Sequence, residues 1–222
     1  MINFEKLEIK LSNIEHYTNS YIVYNEKKDA FLIDPADNAG FIIQKLQELN
    51  LNLKFVILTH THADHIGALE EIINKYNVCV FLHKSDYDVF LGKKDGYFDL
   101  LCVKKQSIKL ENIKFVKDNE EILFGDDIIK IIHTPGHTSG SICIFVPSIN
   151  VLFSGDTIFK DCYGRCDLDS GNIDDMASSL RKVFDMFKDN EILVCPGHGS
   201  KCSLNDTKRK LKLMLAVNGK VI

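Results

Sequence analysis

The chain has no tryptophan, four prolines in 222 residues and no Cys-X-X-Cys pair. It also lacks repeats, low-complexity stretches and Pro/Ser-rich linkers, which marks no internal domain boundary, and its 45% apolar and 26% charged residues exclude disordered and collagen-like architectures. No apolar run approaches the roughly 20 residues that a membrane helix requires. The N-terminal MINFEKLEIK carries charges where a secretory signal would hold its apolar stretch. Without a Cys-X-X-Cys pair, thioredoxin-like and zinc-ribbon readings fail. Seven scattered cysteines, an odd number, do not suit a small disulfide scaffold and are expected to be reduced, mostly as small buried hydrophobes. Neither sign of charge dominates: 27 Lys and Arg against 31 Asp and Glu give a net charge of −4. That balance argues against a nucleic-acid partner held by phosphate neutralisation. The expectation is a soluble, cytoplasmic protein with one domain over 1–222, ample for a large core, and with neither nucleic acid nor membrane as partner. Oligomeric state leaves no mark in the sequence.

What is present is an α/β pattern. Short β-rich runs at 21–23 and 30–33 precede a helical period over 38–49, with Ile42, Ile43, Leu46 and Leu49 on one side. Phe55-Val56-Ile57-Leu58 is continuously apolar, as in a strand buried on both faces. A helix over 67–76 turns Leu69, Ile72 and Ile73 inward, and a strand over 78–82 follows. The segment 84–102 reads only as partly helical. Strands are expected at 113–116, 128–132, 141–146, 151–154 and 192–195, with helices at 174–187 and 206–216. The sum is a layered α/β protein with sheet inside and helices outside.

The chemistry-bearing residues sit just beyond strand ends, where loops on a rigid sheet assemble sites. His60-Thr61-His62-Ala63-Asp64-His65 packs three imidazoles and a carboxylate into six residues. Imidazole nitrogen and carboxylate oxygen are ligands for zinc, iron and manganese. In an extended or turning segment, His60 and His62 point to one side and can share an ion, with Asp64 and His65 beside a second. Three further segments each add one ligand type: Pro135-Gly136-His137, Gly155-Asp156 and Gly197-His198. A Pro-Gly turn can aim a side chain sharply. Seven ligands exceed one tetrahedral ion and suit two ions bridged by a carboxylate. His133 is read as structural, and His16 and His83 as surface or satisfied core residues. The basic amphipathic run over 208–215 is read as a solvated helix face.

In this order and spacing, HTHADH, PGH, GD and GH resemble the metallo-β-lactamase superfamily, and the likeness runs from Asn19-Ser20-Tyr21 to Gly199. The resemblance implies a four-layer αββα sandwich with metals at one edge. It implies that His60, His62 and His137 hold one ion, that Asp64, His65 and His198 hold the other, and that Asp156 bridges them. Asp34 resembles the family's Asp that supports the His-rich loop, and equally a strand-end turn residue.

Gly155-Asp156-Thr157-Ile158-Phe159 and the later Gly164-Arg165-Cys166-Asp167-Leu168 look like the motifs of small glyoxalase II-like thioesterases, with Cys166 replacing the usual Ser or Thr. The larger glyoxalase II enzymes carry an extra helical domain for glutathione, whereas 24 residues follow His198 here. The expected function is dinuclear metal-dependent hydrolysis of a small thioester such as an S-2-hydroxyacyl glutathione. The nucleophile would be hydroxide held by two divalent ions, with zinc expected and iron or manganese served by the same ligands. Asp64 is the candidate catalytic base. Arg165 is a candidate for a substrate carboxylate, and Tyr163 and Phe159 for the walls of the cleft. The alternative is a mononuclear iron persulfide dioxygenase of the same superfamily, using the residues that match His60, His137 and Asp156.

Overall fold

The computed structural model describes residues 1–12, 14–217 and 219. Its backbone separates into two units, Met1–Val116 and Lys117–Ile222, each built on one six-stranded sheet.

The first unit runs β1 (Ile2–Lys10), β2 (Tyr17–Asn25), β3 (Asp29–Ile33), α1 (Ala39–Glu48), β4 (Asn52–Ile57), α2 (Ala63–Ile66), α3 (Leu69–Tyr76), β5 (Cys79–His83), α4 (Tyr87–Phe90) and β6 (Ile113–Val116). Its strands lie in the order β1-β2-β3-β4-β5-β6. The first three pair antiparallel, and β3 through β6 pair parallel. Ile42 and Leu46 of α1 and Leu69, Ile72 and Ile73 of α3 close over Ile22, Leu32, Val56 and Val80 of the sheet. Burial of each such side chain contributes about 1.5–3 kcal/mol. From Phe55 to Ile57 strand β4 is buried on both faces, as its continuous apolar run requires. Strand β1 is absent from the sequence reading for a physical reason. Its apolar residues lie at even positions first (Ile2, Phe4) and at odd positions afterwards (Leu7, Ile9), so its alternation reverses midway among charges.

The second unit runs β7 (Glu121–Phe124), β8 (Asp127–His133), β9 (Ile142–Val146), β10 (Val151–Gly155), α5 (Ile173–Met186), β11 (Leu193–Pro196), β12 (Cys202–Ser203) and α6 (Leu204–Val217). Sheet order is β12-β11-β10-β9-β8-β7, antiparallel except for the β10/β11 pair. Strand β7, also unforeseen, pairs Phe124 with Asp127 across a two-residue turn at Gly125-Asp126. Helix α5 begins at Asn172, whose side-chain oxygen accepts from the Asp174 and Asp175 N–H groups at 2.8 and 3.1 Å. Asp174 and Asp175 complement the helix dipole there. Met176, Leu180, Val183 and Phe184 of α5 join Leu152, Val194 and, from α6, Leu211 and Leu215 in the core. Among the described residues, no helix is long and apolar enough to cross a membrane.

This topology collects loops at strand ends. In the first unit, Asp34 follows β3, His60 follows β4 and Asp86 follows β5, all at the C-terminal edge of parallel strands. In the second, β8, β10 and β11 point the same way, so His137, Asp156 and His198 leave their strands at a common edge.

Candidate metal centre

In the first unit, the run from Thr59 to His65 is almost wholly buried. The His60 ring centre lies 4.8 Å from that of His62 and 4.1 Å from that of His65. The hydrogen bonds assign the tautomers. His65 Nδ1 lies 2.9 Å from Asp34 Oδ2; a carboxylate has no hydrogen to donate, so Nδ1 carries it. Thr59 Oγ1 gives its one proton to Asp34 Oδ2 at 2.5 Å, so His60 Nδ1, 3.2 Å from that hydroxyl, must be the donor. A neutral ring donating from Nδ1 presents a lone pair at Nε2, the state of a metal ligand. The other Asp34 oxygen takes the Thr59 N–H at 2.7 Å. Asp34 therefore does support the His-rich loop, and from a left-handed backbone with φ 49°. The loop is pinned further by Asp86, fully buried, whose Oδ2 accepts the Thr61 N–H at 3.2 Å. The Ala63 N–H bonds to Gly96 O at 2.9 Å. Asp64 Oδ2 accepts from Thr18 Oγ1 at 3.1 Å and from His16 Nε2 at 3.0 Å, and lies 3.6 Å from His65 Nε2.

In the second unit each candidate arrives on its own turn. Gly136 has φ 145°, and a Cβ there would lie 2.5 Å from the Met176 backbone. Its carbonyl accepts the Asn172 N–H at 2.8 Å, which ties the turn to the start of α5. His137 Nδ1 donates to the Arg165 carbonyl at 2.8 Å, leaving Nε2 with the lone pair. The Gly197 N–H bonds to Gly155 O at 2.8 Å, holding the Asp156 and His198 turns together. Asp156 Oδ2 then lies 3.5 Å from His137 Nε2 and 3.3 Å from His198 Nε2.

Those spacings test the donor set against a metal ion. Two ligand atoms at about 2.1 Å from a tetrahedral ion stand about 3.4 Å apart. The three His–Asp distances of 3.6, 3.5 and 3.3 Å cluster there, longer than a good hydrogen bond. All donors are nitrogen and oxygen, so the set suits zinc, iron or manganese. Among the described residues no cysteine joins these groups; Cys166 donates to Gly164 O at 3.3 Å, and burial, with the Asp167 charge, pushes its thiol up to about 11.

The Arg165 guanidinium forks onto Asp167, Nε to Oδ1 at 3.0 Å and Nη2 to Oδ2 at 2.9 Å, in solvent. Phe159 sets its ring edge-on to His198 at 6.0 Å, and half-buried Tyr163 bridges to Ile158. His133 donates Nε2–H to Ser139 O at 3.0 Å, a structural bond. Five contributors escaped the sequence reading: Thr18, His16, Thr59, Asp86 and Gly164. A Cβ at Gly164 would lie 1.9 Å from Asp156 O and 3.2 Å from His137 Cγ. The one available signal was for Asp86, an Asp shortly after a buried parallel strand, as Asp34 is.

The sequence profile of the metallo-beta-lactamase superfamily matches residues 14–198. The chain belongs to that superfamily. It is 33% identical over 198 residues to the hydroxyacylglutathione hydrolase GloC of Haemophilus influenzae, covering 86% of this chain and 90% of that one. Among solved structures, the B3 metallo-beta-lactamase BLEG-1 aligns with TM-score 0.79 and 29% identity, over 92% of this chain and 95% of the other. TTHA1623, crystallised in a di-iron-bound form, aligns with TM-score 0.80 and 26% identity, over 93% and 99%. The metallo-β-lactamase fold expected from the motifs is therefore the fold of this chain. At this level it is a superfamily hydrolase whose His and Asp clusters are suited to metal ions.

Proposed function

We propose that the protein hydrolyses small thioesters of the S-2-hydroxyacyl glutathione type with two divalent ions, zinc expected. The observation that carries this reading is the convergence of His137 and His198 on one oxygen of Asp156 at ligand–ligand spacing, with the His137 tautomer set by the Arg165 carbonyl. The GloC similarity and the GDTIF segment support the thioester class. On the family pattern, His60, His62 and His137 would hold one ion, Asp64, His65 and His198 the other, and Asp156 would serve both. When bound, the ions supply Lewis acidity and lower the pKa of water.

The protein's own groups do the rest. Asp34 and Thr59 hold His65 and His60 with Nε2 as the acceptor atom. Asp64, nearly buried, orients water and takes up its proton at the carboxylate. Phe159, beside His198, supplies an apolar wall, and Tyr163 a second one. Arg165 can meet a substrate carboxylate by exchanging its Asp167 partner. Seven scattered cysteines, an odd number with no Cys-X-X-Cys pair, support a reducing, cytoplasmic setting.

The test is hydrolysis of S-lactoylglutathione by protein loaded separately with zinc, iron and manganese. The expected kcat/KM is about 10⁴ M⁻¹s⁻¹ or more with at least one metal, with a loss of about 100-fold or more in Asp64→Asn. Absence of turnover with every metal, together with oxygen uptake on glutathione persulfide, would overturn the thioesterase reading in favour of the mononuclear iron dioxygenase.

A further inference from the structure

We infer that His16 is a positioning residue for Asp64, holding the carboxylate in its working orientation before any ion arrives. This rests on the reading above that Asp64 serves the second ion. His16 lies in the turn between β1 and β2, and the backbone sets it there: Leu11 N bonds to His16 O and His16 N to Ile14 O, both at 2.9 Å. Its Nε2 reaches Asp64 Oδ2 at 3.0 Å. An ionised carboxylate only accepts, so Nε2 carries the hydrogen and Nδ1 the lone pair. Thr18 Oγ1 donates to the same oxygen at 3.1 Å. That oxygen is the one at ligand spacing, 3.6 Å, from His65 Nε2.

Two donors therefore fix the orientation of the carboxylate that would meet the ion. A carboxylate left to choose among rotamers loses that freedom on binding, whereas one already held does not. The His16 side chain is 38% exposed against 8% for Asp64, so the imidazole can be replaced without opening a cavity in the core. It belongs to the β1–β2 turn and not to the HTHADH run, which is why no motif marks it.

The experiment titrates zinc into chelator-stripped full-length protein by calorimetry and competition with a chromophoric chelator. It compares wild type, His16→Ala, His16→Gln and, to identify the second ion, His65→Ala. His16→Ala should weaken by about 10- to 100-fold the ion that His65→Ala also weakens, leave the other ion unchanged, and keep Tm near wild type. In the loaded enzyme kcat should fall while KM holds, and His16→Gln, whose amide can donate, should recover part of both losses. Unchanged affinity for the second ion in His16→Ala overturns the inference while leaving the dinuclear reading intact. Equal weakening of both ions with a lowered Tm also overturns it, as a loop-stability effect. Uptake of fewer than two ions by wild type overturns the dinuclear reading and the inference with it.

Discussion

The two units hold their candidate ligands by different means. In the first, four ligands come from one six-residue run, and side-chain carboxylates fix it: Asp34 on Thr59 and His65, Asp86 on Thr61. In the second, three ligands come one per turn and the backbone fixes them. The Arg165 carbonyl holds His137, the Gly155 carbonyl holds the 197 turn, and glycines stand where no Cβ fits. A compact run leaves its neighbours free to supply polar groups from other strands. Ligands scattered over separate turns must be brought together by close backbone approach instead. The first arrangement is vulnerable to loss of a charge, the second to gain of a methyl group.

The largest effect should come from adding that methyl. Gly164→Ala places a Cβ 1.9 Å from Asp156 O and 3.2 Å from His137 Cγ, so backbone must move at two candidate ligands together. A loss of about 3 kcal/mol or more is expected by chemical denaturation, with hydrolysis falling well over 100-fold. Wild-type stability and turnover in this variant would show that the second unit's turns are more yielding than their contacts imply, and the contrast would collapse.

A smaller effect, chemical more than steric, is expected from Asp34→Asn. Asparagine tolerates the left-handed backbone at φ 49°, so the change isolates the carboxylate. The new amide would donate where Asp34 accepted. His65 would then accept at Nδ1 and carry its hydrogen at Nε2, which is the wrong tautomer for a ligand. Destabilisation of about 2 kcal/mol and a 10- to 100-fold weaker metal affinity are expected. NMR of the imidazole nitrogens in metal-free protein reads the tautomer directly. An unchanged His65 tautomer would remove the carboxylate's assigned role.

The same contrast explains what could be read from the chain. HTHADH, PGH, GD and GH are local signals: each ligand lies within a few residues of the turn that aims it, so the set of candidates was legible. So were the elements with regular periods, such as β4, α1, α3 and α5. The supports were not legible, because they act across the chain. Thr18 lies 46 positions from Asp64, Asp86 lies 25 from Thr61, and Arg165 lies 28 from His137, where it acts through a carbonyl that any residue has. Strand β1 was hidden by its mid-strand reversal of faces, and Gly164 by the fact that a glycine's necessity depends on what approaches it.

One support in the second unit is a carboxylate, and it gives the comparison its finest test. Asp118 Oδ1 accepts the Lys182 ammonium at 2.6 Å and the His133 N–H at 2.8 Å, at the strand end that leads into the His137 turn. Unlike Asp34, it is partly in water, its side chain 37% exposed. Burial pulls its carboxyl upward, but the hydrogen bonds from Lys182 and His133 and the Lys182 charge outweigh that and hold it below the ordinary 3.8. Depression of the folded-state pKa means that the stabilisation is present above the unfolded value and is lost as pH falls through the folded one. Solvent screening keeps it small. Asp118→Asn should cost about 0.5–1 kcal/mol at pH 7, and the difference from wild type should shrink as pH drops below 3.8. Metal affinity should barely move. If Asp118→Asn matched Asp34→Asn in its effect on stability and metal, burial would not be what separates the two carboxylates. A gap of about 1 kcal/mol or more between them at pH 7 is the outcome that burial requires.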